Sequence, residues 1–280
     1  RFTPAGFVQI WGEGKQRSLR MNPPKGFFKL SKTSAKTAGK KADNTFMLII
    51  KEKNYGGEIM NRSVRILLLV GGGWHDFDGF AEAIKTIIPP QGFKIDFTYD
   101  PDCLLRLEEE QYQLVISYTC FVEPEGITPV TGANKLTSPQ VEALTGWVRK
   151  GGAFLAAHAA TVTGQSPSEL RQLIGGSFIS HPEPFVFTAY PLLEKHPITK
   201  GLKAFSVYDE LYQEEHDPSV QLHMITVDRG VAYPLVWSKP EGKGRVAHIA
   251  LGHDRKVWES PSYQQLMRQT IFWLTGYADS

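Results

Sequence analysis

The pattern of hydrophobic and polar positions changes near residue 60 of the 280-residue chain. From Asn61 onward, short apolar runs alternate with segments in which apolar residues recur every three to four positions. The run Val64–Val70 is rich in leucine and β-branched residues and ends at three glycines, which is typical of a buried parallel strand. The apolar residues of Phe80–Ile88 share one helical face and stop at Pro89, so a helix is predicted after that strand.

The same two patterns continue through the rest of the chain. Further strands are predicted at Phe93–Tyr99, Gln113–Thr119, Ala153–Ala157, Phe185–Tyr190, Phe205–Tyr208, Gln221–Val227, Leu235–Ser238 and Arg245–Leu251. Helices are predicted over 138–150 with Ser138 as N-cap, after a capping box from Ser166 to Glu169, and over 262–274. This alternation, with glycine-rich strand exits, predicts one α/β domain over residues 61–280 with an open, doubly wound, mostly parallel sheet.

Residues 1–60 differ in composition from the rest. They hold twelve Lys and Arg against four Asp and Glu, whereas residues 61–280 hold nineteen against twenty-five. The stretch Lys29–Lys41 has no apolar face after Leu30, and such a segment buries too little surface to offset the entropy of ordering it. We therefore predict a disordered or extraneous basic extension, although the composition also resembles that of an organellar transit peptide.

Composition and charge exclude several classes of function. The mildly acidic domain lacks the basic face that nucleic-acid binding requires, and no apolar stretch approaches the roughly 18 residues that span a bilayer. No secretory signal is visible, so a cytoplasmic location is expected. The two cysteines, Cys103 and Cys120, are too few for a disulfide framework or a four-cysteine zinc site.

Polar residues at the strand exits are the candidates for chemistry, because ligands of open α/β sheets bind outside the carboxyl ends of the strands. Three predicted strands run into a histidine, and imidazole exchanges protons near neutral pH when a carboxylate orients it. The candidate catalytic residues are His75, His158, His253, Asp254, Asp209 and Glu210. The candidate substrate-binding residues are Gly73, Trp74, Tyr118, His181, Tyr212 and Trp258. Simpler structural roles stay open: Asp76 as a helix cap, His158 as a buried structural histidine, and either tryptophan as part of the core.

A series of short motifs runs through the domain. They are Gly72-Gly73-Trp74-His75-Asp76, Gly151–Leu155 leading to His158-Ala159-Ala160, Gly176-Ser177-Phe178 with His181-Pro182, His196–Thr199 with Gly201-Leu202, Asp209–Tyr212, and Gly244-Arg245-Val246 leading to Leu251–Asp254. In their number and order, these motifs resemble the ThuA-like family, the trehalose-utilisation domain of the class I glutamine amidotransferase-like superfamily, and the resemblance covers about residues 62–277.

The resemblance implies a flavodoxin-like sheet and a role in the breakdown of disaccharides, as keto-sugars made by partner dehydrogenases. His158 stands where an amidotransferase of this superfamily has its cysteine, so glutaminase chemistry is not expected.

The leading hypothesis is a sugar-processing enzyme, an isomerase, lyase or hydrolase, that transfers protons next to a keto-sugar carbonyl by His/Asp chemistry. His75, His158 and His253 could instead hold a divalent metal such as zinc. The alternative from another class is a non-catalytic carbohydrate-binding or assembly module, since a fold alone does not establish a reaction. The expected partner is a small-molecule sugar; a homo-oligomer stays open.

Overall fold

The computed structural model describes residues 63–122 and 130–277, together with three strands nearer the amino terminus. Those three are β1 (Phe7–Gly12), β2 (Lys15–Met21) and β3 (Phe28–Leu30), which form one antiparallel sheet in chain order. They belong to a separate unit, Arg1–Met60, and the second unit is Asn61–Ser280. Most of residues 1–60 lies outside the described residues, so the expectation of a disordered or extraneous extension stays a prediction.

The second unit is built on a nine-stranded sheet, which confirms the predicted α/β class. Its strands are β4 (Val64–Gly72), β5 (Phe93–Thr98), β6 (Leu114–Cys120), β7 (Ala153–Ala157), β9 (Phe185–Pro191), β10 (Phe205–Asp209), β12 (Gln221–Asp228), β13 (Val231–Glu241) and β14 (Gly244–Ile249). They lie in the order β10-β9-β12-β13-β14-β7-β6-β4-β5. Strands β5, β4, β6, β7 and β14 are parallel, and the other pairings are antiparallel.

Five helices cover the two faces of this sheet. They are α1 (Phe77–Ile87), α2 (Ser138–Lys150), α3 (Ser168–Ile174), α4 (Arg255–Trp258) and α5 (Pro261–Thr275). Alternate residues of β4 point to opposite faces: Ile66 and Leu68 pack with α1 and α5, whereas Leu67 packs with α2 and α3. Both faces of β4 are therefore buried, which explains why its sequence is a continuous apolar run.

The strand order of the parallel part creates a switch point. After β4, the chain adds β5 on one side and then returns to add β6, β7 and β14 on the other. The connections on the two sides of β4 therefore separate at its carboxyl end and leave a crevice there, where ligands of such sheets bind.

Two helix starts differ from the predictions. Thr137, not Ser138, is the N-cap of α2, because Thr137 and Gln140 form a capping box. The predicted box from Ser166 to Glu169 is absent: Pro167 is the N-cap of α3, and the Ser166 hydroxyl accepts a hydrogen bond from the backbone of Leu136 at 2.9 Å. Local sequence identified the helices but not which polar side chain was free to cap them.

A small second sheet was not predicted. Strands β8 (Gly176–Ser180) and β11 (Gln213–His216) pair antiparallel, and their polar sequences lack the apolar alternation of a strand. Across 63–122 and 130–277, we find no helix with the length and apolar character needed to cross a membrane.

Candidate functional site

Four side chains from separate loops converge at the carboxyl edge of the parallel strands. His75 follows β4, His158 follows β7, Glu210 follows β10 and His253 follows β14. One nitrogen or oxygen atom from each lies within 4.8 Å of those of the other three. We call these residues the four-residue cluster; its three imidazole rings have centroids 5.0–5.5 Å apart.

The backbone at the end of β4 directs His75 into the cluster. Gly72 has φ +106°, and a Cβ there would overlap the carbonyl group of Cys120, so only glycine fits. The amide of Gly73 donates to the same carbonyl at 3.0 Å, which holds the turn against β6. Trp74 follows with φ +70°, a conformation that side-chain-bearing residues rarely adopt.

The backbone at the end of β7 is strained as well. His158 begins a 3-10 helix, His158–Thr161, and has φ +44°. A left-handed conformation costs a non-glycine residue about 1–2 kcal/mol, and such strain persists where surrounding contacts hold it, often at functional sites. We call this turn after β7 the elbow. Its signal in the sequence was a single polar residue, His158, among the alanines of 156–160.

Hydrogen bonds set the tautomer of two of the rings. Nδ1 of His75 lies 3.0 Å from the carbonyl oxygen of Gly73, and Nδ1 of His158 lies 2.6 Å from that of Ala250. A carbonyl oxygen only accepts, so Nδ1 carries the proton in both rings. The Nε2 lone pairs of both are buried and, like Nδ1 of His253, have no hydrogen-bond partner among the described residues.

Glu210 brings a negative charge to these nitrogens. One carboxylate oxygen lies 3.5 Å from Nε2 of His158 and 3.1 Å from Nδ1 of His253, without hydrogen-bonding alignment. Burial works to raise the pKa of Glu210, but the two imidazoles hold it well below its usual range. Burial likewise works to lower the pKa of His253, and Glu210 more than offsets this and raises it.

The electrostatic character of His75 is different. Burial, followed by the neighbouring His158, lowers the pKa of His75 to about 3. A neutral His75 and an ionised Glu210 therefore share the site at neutral pH. The cluster is rich in lone pairs, a donor set that could hold a divalent cation.

The two predicted aspartates lie outside the cluster. The carboxylate of Asp209 is buried and accepts from the backbone amides of Glu210, Gly252 and His253 at 2.8–3.1 Å, which fixes the loop that carries His253. Asp254 caps α4 by accepting from the amide of Lys256 at 2.8 Å. Asp76 takes the structural role that the sequence left open for it: it caps α1 and does not orient His75.

Gly73, a predicted substrate-binding residue, holds the turn after β4, and the other five divide into two groups. Tyr118 and Trp258 are buried and donate to the backbone carbonyls of the Gly252–His253 loop at 2.7–3.0 Å, so both support that loop instead of facing a ligand. Trp74, His181 and Tyr212 line a cavity of about 530 Å³ whose wall also contains His75, Glu210 and His253. We call it the main cavity.

A side cavity of about 410 Å³ adjoins the main cavity. The two share Trp74, Val122, Val162 and Phe178 as lining residues. The indole of Trp74 is 66% exposed, which leaves an open aromatic face between them. Aromatic faces of this kind bind the apolar faces of ligand rings.

Two features of the site were missed in the sequence. Cys120 lines the main cavity, but burial and Glu210 raise its pKa to about 12, so it stays a thiol and is a poor nucleophile. Beneath the elbow, Glu214 accepts from Thr161 Oγ1 at 2.6 Å and lies 3.0 Å from Nε2 of buried His248. No local motif links these three residues, which come from different elements.

Comparisons with known proteins agree with this fold. The sequence matches the ThuA family, described as trehalose utilisation, over residues 65–274. A putative ThuA-like protein from Parabacteroides merdae is 18% identical, with a TM-score of 0.63 over 76% of this chain and 90% of that one. Another from Bacteroides uniformis is 17% identical, with a TM-score of 0.59 over 76% and 91%.

A cytoplasmic protein from Salmonella typhimurium is 12% identical, with a TM-score of 0.52 over 75% of this chain and 99% of that one. At these identities the structural likeness concerns the fold alone. No curated protein matches the sequence.

Proposed function

Since the chain belongs to the ThuA family, described as trehalose utilisation, we propose that it is an enzyme that acts on a keto-glycoside derived from a trehalose-type disaccharide. Family membership indicates a role in sugar metabolism. The observation that supports an enzyme is the convergence of three imidazoles and one carboxylate beside the main cavity, whose wall includes three members of the cluster, His75, Glu210 and His253. Imidazole and carboxylate groups in one cavity are what proton transfer at neutral pH requires.

The proposed reaction begins with loss of a proton from the carbon next to the keto group. The electron pair of that C–H bond moves toward the carbonyl and forms an enolate. Reprotonation at the former carbonyl carbon isomerises the sugar, with the hydroxyl of the deprotonated carbon losing its proton to become the new carbonyl and the enolate oxygen gaining one. Alternatively, the enolate collapses and breaks the β carbon–oxygen bond of the glycoside, whose oxygen leaves with a proton. Both outcomes need a base beside the carbon and a group that stabilises negative charge on the carbonyl oxygen.

We assign proton transfer to His181 and carbonyl binding to the four-residue cluster. The side chain of His181 is 34% exposed, against 27% for His253 and 1% for His158, so a ligand in the main cavity reaches it most readily. Its Nε2 lies 3.7 Å from Glu210, which can orient the ring. Trp74 then offers its open face to the sugar.

Solvent exchange tests this assignment. The protein is incubated in D₂O with 3-keto-trehalose and, separately, with trehalose, and deuterium in the sugar is measured by mass spectrometry. We expect deuterium next to the carbonyl of the keto-sugar and none in trehalose. His181→Asn should reduce the exchange by about 10²–10⁴-fold, whereas the exposed His216→Asn on β11 should leave it unchanged.

Two results would contradict the proposal. Binding of both sugars without exchange or bond cleavage would favour the non-catalytic carbohydrate-binding module. Cleavage of trehalose itself at the rate of the keto-sugar would show that the keto group is not needed for the reaction.

A further inference from the structure

We propose that His75, His158, His253 and Glu210 bind one divalent transition-metal ion of the zinc class. The inference deepens the proposed function, because the ion would lie where the substrate carbonyl is expected. It stands on donor geometry alone, so it can hold even if the reaction is a different one.

The first argument is the number of unpartnered ring nitrogens. Nε2 of His75, Nε2 of His158 and Nδ1 of His253 are buried without a hydrogen-bond partner among the described residues, and a carboxylate lies beside them. A water molecule has only two protons to donate, whereas a cation accepts lone pairs from all four groups. Buried polar atoms are normally satisfied, so several orphaned atoms aimed at one point need such an explanation.

The second argument is the support behind the ligands. A metal-binding histidine usually donates its other ring N–H to a carbonyl or carboxylate, which fixes the tautomer and the ring orientation. His75 and His158 do this through Gly73 and Ala250. The side chain of His158 is 1% exposed, so its free nitrogen is directed inward and not toward solvent.

The third argument is the span and chemistry of the donors. In the tetrahedral geometry that zinc prefers, ligands about 2.0–2.2 Å from the ion lie roughly 3.3–3.6 Å apart. The four donor atoms lie within 4.8 Å of one another, so the most distant of them would have to approach by about 1 Å to share one ion. Three imidazoles and one carboxylate suit zinc and its first-row neighbours, whereas calcium and magnesium prefer sites made of oxygen.

The arrangement also explains how an electron-rich cluster can serve a carbonyl. The negative charge that develops on an enolate oxygen needs a positive charge nearby, and a cation held by these four groups would supply it. His75, Glu210 and His253 line the main cavity, so a ligand there has access to the ion.

Metal titration of the purified protein tests the proposal. The protein is stripped with a chelator and titrated with Zn²⁺ by calorimetry and with Co²⁺ by visible absorption. We expect one ion per chain and a Co²⁺ spectrum typical of nitrogen and oxygen ligands. His158→Asn keeps a donor for Ala250 and tolerates positive φ, but it removes Nε2; Glu210→Gln removes the carboxylate charge.

Both variants should lose more affinity than the roughly 10–100-fold that loss of a supporting partner costs. His181→Asn is the matched control: it adjoins Glu210 at 3.7 Å but supplies no ligand, so its metal affinity should fall by no more than the roughly 10–100-fold of a supporting partner, while solvent exchange falls. Circular dichroism checks that each variant is folded.

Failure of the chelator-treated wild type to bind either ion stoichiometrically would overturn the proposal. Unchanged affinity in the folded His158→Asn and Glu210→Gln variants would also overturn it. Stoichiometric binding without exchange of the keto-sugar would support the metal site and reject the proposed reaction.

Discussion

Two buried imidazole–carboxylate groups lie close together in this protein and differ in one respect. In the first, His248 has Nδ1 3.0 Å from the carbonyl oxygen of Ala156 and Nε2 3.0 Å from Glu214, which also accepts from Thr161. In the second, Glu210 lies among imidazoles that keep unpartnered nitrogens. Glu210 and Glu214 are four residues apart in sequence, yet of these two carboxylates only that of Glu210 lines the main cavity.

The difference distinguishes a structural network from a site prepared for a ligand. Both ring nitrogens of His248 and both carboxylate oxygens of Glu214 have partners, so this pair has nothing left to bind. It instead anchors the 3-10 turn that carries His158. Satisfied buried networks stabilise a fold, whereas partly satisfied ones cost stability unless a ligand completes them.

Glu214→Ala should have the largest effect on stability. Removing one partner of a buried pair leaves the other charged or polar groups unpaired, which costs about 3–5 kcal/mol. Urea unfolding of the chelator-treated protein measures this change in the free energy of unfolding. Glu215→Ala, at the exposed neighbouring position of β11, is the control and should lie within about 0.5 kcal/mol of the wild type. A loss below about 1 kcal/mol for Glu214→Ala would show that the network is not structural.

Glu210→Ala should show the reverse behaviour. In the chelator-treated protein its free energy of unfolding should fall by less than that of Glu214→Ala, because Glu210 loses its attraction to His158 and His253 but no aligned side-chain hydrogen bond. Exchange of the keto-sugar should fall by about 10²-fold or more. Unfolding in urea and deuterium uptake separate the two effects, and a strongly destabilised variant would place Glu210 with Glu214 as a structural residue.

Substitutions of His158 separate backbone strain from function. This residue belongs to the four-residue cluster and begins the 3-10 turn that Glu214 anchors through Thr161. Asn tolerates φ +44° better than Ala does and can still donate to Ala250. His158→Asn should therefore be more stable than His158→Ala by about 1 kcal/mol, and both should lose exchange activity. Equal unfolding free energies would mean that the positive φ relaxes when the imidazole is removed.

Trp74→Gly should have the smallest effect on folding. Trp74 is 66% exposed and has φ +70°, so glycine relieves strain and removes little buried surface. We expect an unchanged or slightly higher Tm, together with a several-fold higher KM for the keto-sugar and a nearly unchanged kcat. Thermal unfolding and steady-state kinetics measure the two effects; an unchanged KM would remove Trp74 from the sugar site.

Much of the fold could be predicted from the sequence because its signals are local. The continuous apolar run of β4, the helical face of α1 and the glycine exits all act within a few residues of chain. The sheet of β8 and β11 was missed because its strands are polar and are defined by pairing across more than 30 residues. The N-cap of α2 was misassigned by one residue although its signal is local, because Gln140 forms the capping box with Thr137 and not with Ser138.

By itself, the sequence determined the α/β class, the family resemblance and the histidines at the strand exits. Residue type and short-range spacing are sufficient for these. Only the tertiary structure decided which acidic residue joins the histidines: Asp76 and Asp254 are adjacent in the chain but cap helices, whereas Glu210 arrives from a distant loop. The physical reason is that the path of the folded backbone decides which groups a carboxylate meets in space, and sequence adjacency does not identify those groups.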